Sequence, residues 1–214
     1  MQVYNFLNFQ ESTQNEFRHW LGSRSVNKLN IGSGPDWPEP NEDWINLDAY
    51  SFQNVHIVTN LEQGLSMFPD ESIDEILSNH ALEHLSWKHT VEYLQDWIRV
   101  LKVGGKITIR VPDLGKLCLL YVQGRWVIGS EEAEHNIINC IFGNEDDFDL
   151  EEHGADKKIV QEYTKACGFH KAGFDKSLME KYLRQCGCHD VKVTDSDRGH
   201  EFEMAAFGTK GNFS

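Results

Sequence analysis

Lys28-Leu29-Asn30-Ile31-Gly32-Ser33-Gly34-Pro35 is the stretch on which the fold turns. Its first four residues read as a short buried strand, and the two glycines that follow stop it in a tight turn. Glycine has no Cβ, so the backbone there can turn sharply and approach a ligand that side chains would exclude. A Gly-x-Gly pair alone is also an ordinary turn. Asp48, sixteen positions after Gly32 and just past the next predicted strand, Trp44 to Leu47, gives the pair its weight. A carboxylate at that strand end can accept both ribose hydroxyl hydrogens of an adenosine, so the two features point to a nucleoside-containing cofactor.

Working outward, Phe17 to Leu21 precedes this stretch as a short amphipathic helix. A third strand fits Val55 to Thr59 and a fourth Asp74 to Ser78. The spacing of Val91, Leu94, Trp97, Ile98 and Leu101 predicts a helix over Thr90 to Leu101. Lys102-Val103-Gly104-Gly105 ends it through a left-handed glycine, and Lys106 to Val111 is a fifth strand. Strands alternating with helices predict βαβ units on a parallel sheet. After Asp113 the order loosens: Leu114 to Val127 has helical character, and Ile128 to His170 has no clear period. Phe174 to Cys186 resumes as a helix, followed by strands at Asp190 to Thr194 and Glu201 to Thr209.

The 214 residues suit one domain with a substantial core. A net charge of −14 repels a phosphate backbone, which argues against nucleic acid as a partner. The acidic run from Glu131 to Asp156 reads as a solvated loop. No apolar run approaches the roughly 20 residues of a membrane span, and Met1 to Gln10 does not resemble a secretory signal, so a cytoplasmic location is expected. Five cysteines are an odd number, which argues for reduced thiols, and Cys186-Gly187-Cys188 is spaced too tightly for the usual zinc pair.

Leu29-Asn30-Ile31-Gly32-Ser33-Gly34, Trp44-Ile45-Asn46-Leu47-Asp48, His80-Ala81-Leu82-Glu83-His84-Leu85, Arg99-Val100-Leu101-Lys102-Val103-Gly104-Gly105 and Val111-Pro112-Asp113 follow one another in order. This set resembles the class I S-adenosylmethionine-dependent methyltransferases, most closely a small bacterial and phage branch of the type 11 kind found among polysaccharide-biosynthesis enzymes. The resemblance implies an α/β, Rossmann-like, doubly wound fold: a mostly parallel seven-stranded sheet with an antiparallel C-terminal strand. Residues 1–27 are then an N-terminal helical extension and 28–214 the methyltransferase domain. Within it, 114–174 is a candidate acceptor site or lid, or alternatively a disordered surface loop; as a site it offers Tyr121, Arg125, Trp126, Tyr163 and His170 as candidate acceptor contacts.

The resemblance further implies S-adenosylmethionine as cofactor, with Gly32, Ser33 and Gly34 against its methionine part and Asp48 on the ribose. Asn60 and Leu61 then flank the adenine, and Asn79 and His80 lie near the methionine and sulfonium. Two residues depart from the family pattern: Asn60 stands where an acidic residue is usual, and Val103 where proline is usual. The acceptor is expected to be a small molecule, with a sugar or polysaccharide precursor suggested by the family association. A non-catalytic protein that binds the same cofactor has the same sequence features.

His80 to His84 also spells H-x-x-E-H, a zinc-peptidase signature, but that chemistry needs a long helix and this segment follows a short strand. No metal is therefore expected. A nicotinamide-dependent reductase shares the glycine turn and the carboxylate, yet no tyrosine here has a lysine four positions later. Methyl transfer requires a base only where the acceptor must lose a proton, and His80, Asp113 and His170 are the candidates, with His84 beside them.

Overall fold

The computed structural model describes residues 3–7, 11–35, 43–126, 137–142 and 169–212. Leu29 and Ile31 are fully buried, and the strand they form, β2 (Lys28–Ile31), lies in the middle of the sheet. The other strands are β1 (Tyr4–Asn5), β3 (Trp44–Asp48), β4 (Ile57–Val58), β5 (Ile73–Asn79), β6 (Leu101–Pro112), β7 (Cys188–Asp195) and β8 (Glu203–Lys210). Their order is β1-β4-β3-β2-β5-β6-β8-β7. All pairings are parallel except those of β8, which runs antiparallel to both β6 and β7. The Rossmann-like sheet with an antiparallel C-terminal strand is thus as expected, but it has eight strands rather than seven.

The extra strand comes from the segment expected to be only a helical extension. Tyr4 N–H donates to the His56 carbonyl and Phe6 N–H to the Val58 carbonyl, both at 2.8 Å, which adds β1 to the free edge of β4. The helix that follows, α1 (Glu11–Gly22), turns Phe17 into a cluster with Tyr4, Phe6 and Phe68, packed edge to face at 5.2–5.4 Å between ring centroids. Two residues carry too little pattern to be read as a strand from sequence. The packing of Tyr4 and the neighbouring Phe6 against Phe17 holds the strand there.

Alternation along the strands sorts the sheet into two faces. Leu29, Ile31, Ile45, Ile76, Ile107 and Ile109 all belong to one apolar core. The helices α2 (Thr90–Val100) and α5 (Lys176–Gln185) cover it with Leu94, Trp97, Ile98, Met179 and Leu183. Burying a Leu or Ile there contributes about 1.5–3 kcal/mol. The helix α2 ends at Val100, before the glycines expected to stop it, with Leu101 extended as its cap; Gly104, at φ +78°, lies instead within β6, where the pairing with β5 shifts register. Lys210 closes the last turn of α2 from the far end of the chain, donating from Nζ to the Arg99 and Leu101 carbonyls. The opposite phase is mostly polar, with Asn30, Glu75, Asn79, Thr108 and Arg110.

Beyond β6 lie α3 (Leu114–Val122) and α4 (Ile137–Phe142). Leu117, Leu120, Trp126 and Ile137 form a second, smaller core between them. Trp126, expected to contact an acceptor, is spent in this packing, and Arg125 pairs with Glu201. Tyr163 lies outside the described residues, as does most of the acidic run. The described cysteines, 118, 140, 186 and 188, are free; burial pushes the thiols of Cys186 and Cys188 up to about 11 and 12, which keeps both protonated. Among the described residues no helix is long and apolar enough to cross a membrane.

Candidate active site

Strand order reverses between β2 and β5: β3 and β4 continue the sheet to one side, β6 and β8 to the other. Crevices open at the carboxyl ends of strands at such a switch point. A groove of about 550 Å³ lies there, lined among others by Gly32, Asp48, Asn60, Leu61, His80 and His84. Gly32 sits at φ +68°, and a Cβ added to it would stand 2.3 Å from the Ala81 Cβ. The turns after β2 and β5 can touch only because this position has no side chain.

Asp48 is buried at the end of β3, where its carboxylate accepts the N–H of Gly34 at 2.9 Å and of Tyr50 at 3.0 Å. Burial pushes its pKa up to about 6 against the lowering effect of those amide bonds. Asn60 spends its side-chain oxygen on the Glu62 N–H, capping a 3-10 turn over Leu61–Gln63. Ser33 and Asn79 turn the other way, into a separate cavity on the polar face. Asn79 Oδ1 accepts from Arg110 at 2.8 Å. Of the residues expected on the cofactor, the structure therefore gathers Gly32, Asp48, Asn60, Leu61 and His80 in one groove, places Gly34 on Asp48, and sets Ser33 and Asn79 apart. Asn5 and Leu7 of the edge-strand segment, Tyr50 and Lys171 also line the groove, and none of them carries a sequence signal for it.

His80 takes a left-handed backbone (φ 49°) just past β5. Its Nε2 lies 2.8 Å from Glu203 Oε2 and its Nδ1 3.1 Å from Glu83 Oε1. Both partners are acceptors, so both ring nitrogens must donate, and the ring is an imidazolium. Burial alone would lower its pKa, but the bonds to Glu203 and Glu83 raise it to about 9. For Glu203, burial works upward, while His80, Arg198 and Ser196 hold it down to about 2. With no lone pair left, His80 in this arrangement orients its neighbours and accepts no proton.

A second cavity of about 420 Å³ adjoins the groove, lined among others by Trp87, Cys140, His170, Lys171, Phe174 and Tyr182. Lys171 lines both spaces. The ring of His84, on the groove side, packs edge to face on His170 at 4.8 Å. The contact is built by the backbone: the Glu83 carbonyl accepts the N–H of Lys171 at 2.7 Å and of Ala172 at 3.0 Å, which docks the returning chain on the turn after β5. Burial holds the pKa of His170 below its ordinary value, keeping the ring neutral. Asp113 lines neither cavity. It caps α3 by accepting the Lys116 N–H at 3.1 Å and lies 3.8 Å from Lys176 Nζ, a structural use of the carboxylate.

Residues 39–109 match a protein family described as a methyltransferase domain. No curated protein matches the chain. Among solved structures it is similar to a S-adenosylmethionine-dependent methyltransferase from Archaeoglobus fulgidus, at 15% identity over 94% of each chain and a TM-score of 0.53. It is also similar to the 1,6-didemethyltoxoflavin-N1-methyltransferase of Burkholderia thailandensis with bound 1,6-didemethyltoxoflavin and S-adenosylhomocysteine, at 14% identity, 94% and 78% coverage and a TM-score of 0.50. At such identities the likeness establishes the fold. The chain thus has the fold of these enzymes, and residues 39–109 within it match a methyltransferase domain.

Proposed function

We propose that the chain transfers the methyl group of S-adenosylmethionine to a small polar acceptor, a sugar or a sugar-bearing precursor. The observation that carries this reading is the pair of adjoining spaces: a groove with a glycine cradle and a buried carboxylate, and a cavity that meets it at His84 and His170. Both have the size of small-molecule sites.

The cofactor brings an electrophilic methyl group on a sulfonium, so alignment is the protein's main contribution, and proximity can supply up to about 7–11 kcal/mol. In this reading Gly32 admits the methionine part, Asp48 accepts the ribose hydroxyls, and Asn60 and Leu61 flank the adenine. Gly34 tethers Asp48, while Ser33 and Asn79 support the turn from the other face. The imidazolium of His80 holds Glu83 and Glu203 in place, and Asp113 anchors the start of α3. Of the three candidate bases, His170 is the neutral one at the boundary between the spaces.

The acceptor occupies the second cavity, where Trp87 and Tyr182 offer aromatic faces and Thr90, His170 and Lys171 polar groups, the mixture that suits a sugar. The segment 114–174 is its specificity element, with both ends pinned: Leu114 N–H donates to the Phe174 carbonyl and Asp113 N–H to that of Phe202, each at 2.8 Å. A net charge of −14 disfavours nucleic acid as acceptor. A cytoplasmic location is part of this reading, since an odd set of thiols suits a reducing compartment. The test is release of S-adenosylhomocysteine from the protein supplied with cofactor and a panel of sugars and sugar nucleotides. Turnover with a sugar whose KM rises in Tyr182→Ala, at little cost in kcat, supports the assignment; turnover only with acceptors lacking a sugar overturns it.

A further inference from the structure

We propose that Glu83, His84 and His170 bind a divalent first-row transition-metal ion of the zinc kind at the wall between the groove and the second cavity. One donor atom of each residue lies within 4.8 Å of the other two. What turns this proximity into a site is how each side chain is already held by its other end.

The Nδ1 of His84 lies 3.2 Å from the Phe169 carbonyl, and the Nδ1 of His170 lies 3.1 Å from the Cys140 carbonyl. A carbonyl only accepts, so each Nδ1 carries the proton and each Nε2 keeps its lone pair. No hydrogen bond occupies either Nε2 among the described residues. Glu83 repeats the pattern: Oε1 takes the Nδ1–H of His80, whereas Oε2 is buried with no hydrogen-bond partner, on a side chain only 1% exposed. A buried carboxylate oxygen without a partner is costly, and imidazole nitrogens that keep their lone pairs cannot donate to it. A cation among the three satisfies all of them at once. Metal-ligating histidines typically donate their second N–H to a carbonyl or carboxylate, and ligating carboxylates are themselves hydrogen-bonded; both supports stand here before any ion arrives.

Two imidazoles and one carboxylate are a donor set for zinc, iron or cobalt rather than for calcium or magnesium. Three protein ligands leave positions open for water or substrate, as in catalytic rather than structural zinc sites. Bonds of about 2.1 Å place tetrahedral donors roughly 3.4 Å apart, so donors no more than 4.8 Å apart close by at most about 1.4 Å on binding. The H-x-x-E-H spelling pointed to His80 and His84 as the pair, but His80 is consumed by two carboxylates and His170 takes its place. The use of the ion, though not its binding, rests on the methyltransferase reading: in its open position a hydroxyl of the acceptor would lose its proton more readily. With the ion bound His170 is a ligand and no longer a base: the acceptor oxygen bonds to the methyl carbon as the sulfur–carbon bond breaks, the electron pair staying on sulfur and the proton passing to solvent.

The experiment is a titration of chelator-treated full-length protein, purified without a histidine tag, with Co²⁺ followed by visible absorption and then displacement by Zn²⁺. One equivalent with ligand-field bands is expected. His80→Gln should weaken binding about tenfold, as loss of an outer-shell partner does, with Glu83→Gln, His84→Ala and His170→Ala each weakening it further and the exposed control His89→Ala leaving it unchanged. Urea unfolding followed by circular dichroism on the same preparations shows that each variant is folded, and calorimetry with S-adenosylhomocysteine on the unsubstituted protein tests the methyltransferase reading separately. Failure to saturate at millimolar Co²⁺, or binding that persists in Glu83→Gln and His170→Ala, overturns the site. Cobalt bound without any affinity for S-adenosylhomocysteine would leave the site standing and overturn the methyltransferase reading instead.

Discussion

Asp48, the last residue of β3, and Glu83, four residues past β5, are both buried carboxylates at the carboxyl ends of the same sheet's strands, and their surroundings make them different chemical objects. Asp48 is held by neutral backbone amides, which do not cancel the cost of burying a charge, and its pKa rises to about 6. Glu83 faces the imidazolium of His80, and although burial works upward, that partner holds its pKa below the ordinary value. The first carboxylate exchanges protons near physiological pH and has room for hydroxyl donors. The second stays anionic, tied into the fold through His80 and Glu203, with one oxygen left over.

The contrast can be broken by mutation. Glu203→Leu leaves His80 and Arg198 without their shared carboxylate, and should cost about 2–3 kcal/mol of unfolding free energy in urea. That is below the range for fully buried pairs, since both cations are about a third exposed. The double variant His80→Leu with Glu203→Leu should recover part of the loss. At the other carboxylate the expected effect is smaller: Asp48→Asn at pH 7 should shift unfolding by less than about 1 kcal/mol, because weaker bonds to Gly34 and Tyr50 are offset by removal of a buried charge. A large loss in Asp48→Asn would mean that this carboxylate serves the fold rather than a ligand.

How far each region was legible follows from the range of the interactions that build it. The groove rests on signals a few residues long: a strand, two glycines, an aspartate at the next strand end, and Gly32 and Asp48 lie at the strand ends that the sequence predicts. Phase at the strand ends was harder to read. Asn79 lies in register with Glu75 and Leu77, on the face opposite Ile76, so it points away from the groove that His80 lines one position later. Glu83 and His84 were visible as a motif, but their third companion, His170, arrives from far downstream through two backbone hydrogen bonds to Glu83 that no local pattern encodes. The same holds for β1, whose two residues are fixed by contacts with Phe17 and the edge of β4.

The account's central claim, that the Gly32–Asp48 groove holds S-adenosylmethionine, is tested most directly by calorimetry with S-adenosylhomocysteine at pH 7.5 and at pH 5. Ribose hydroxyls bind the ionised carboxylate, so affinity should be fully present well above pH 6, about halved near that value, and fall by up to tenfold per unit below it. Asp48→Ala should weaken binding at pH 7.5 by about 1–3 kcal/mol and flatten the pH dependence. Micromolar affinity with this profile is the predicted result; binding of NADH but not of S-adenosylhomocysteine, or an affinity indifferent to both Asp48 and pH, would contradict it.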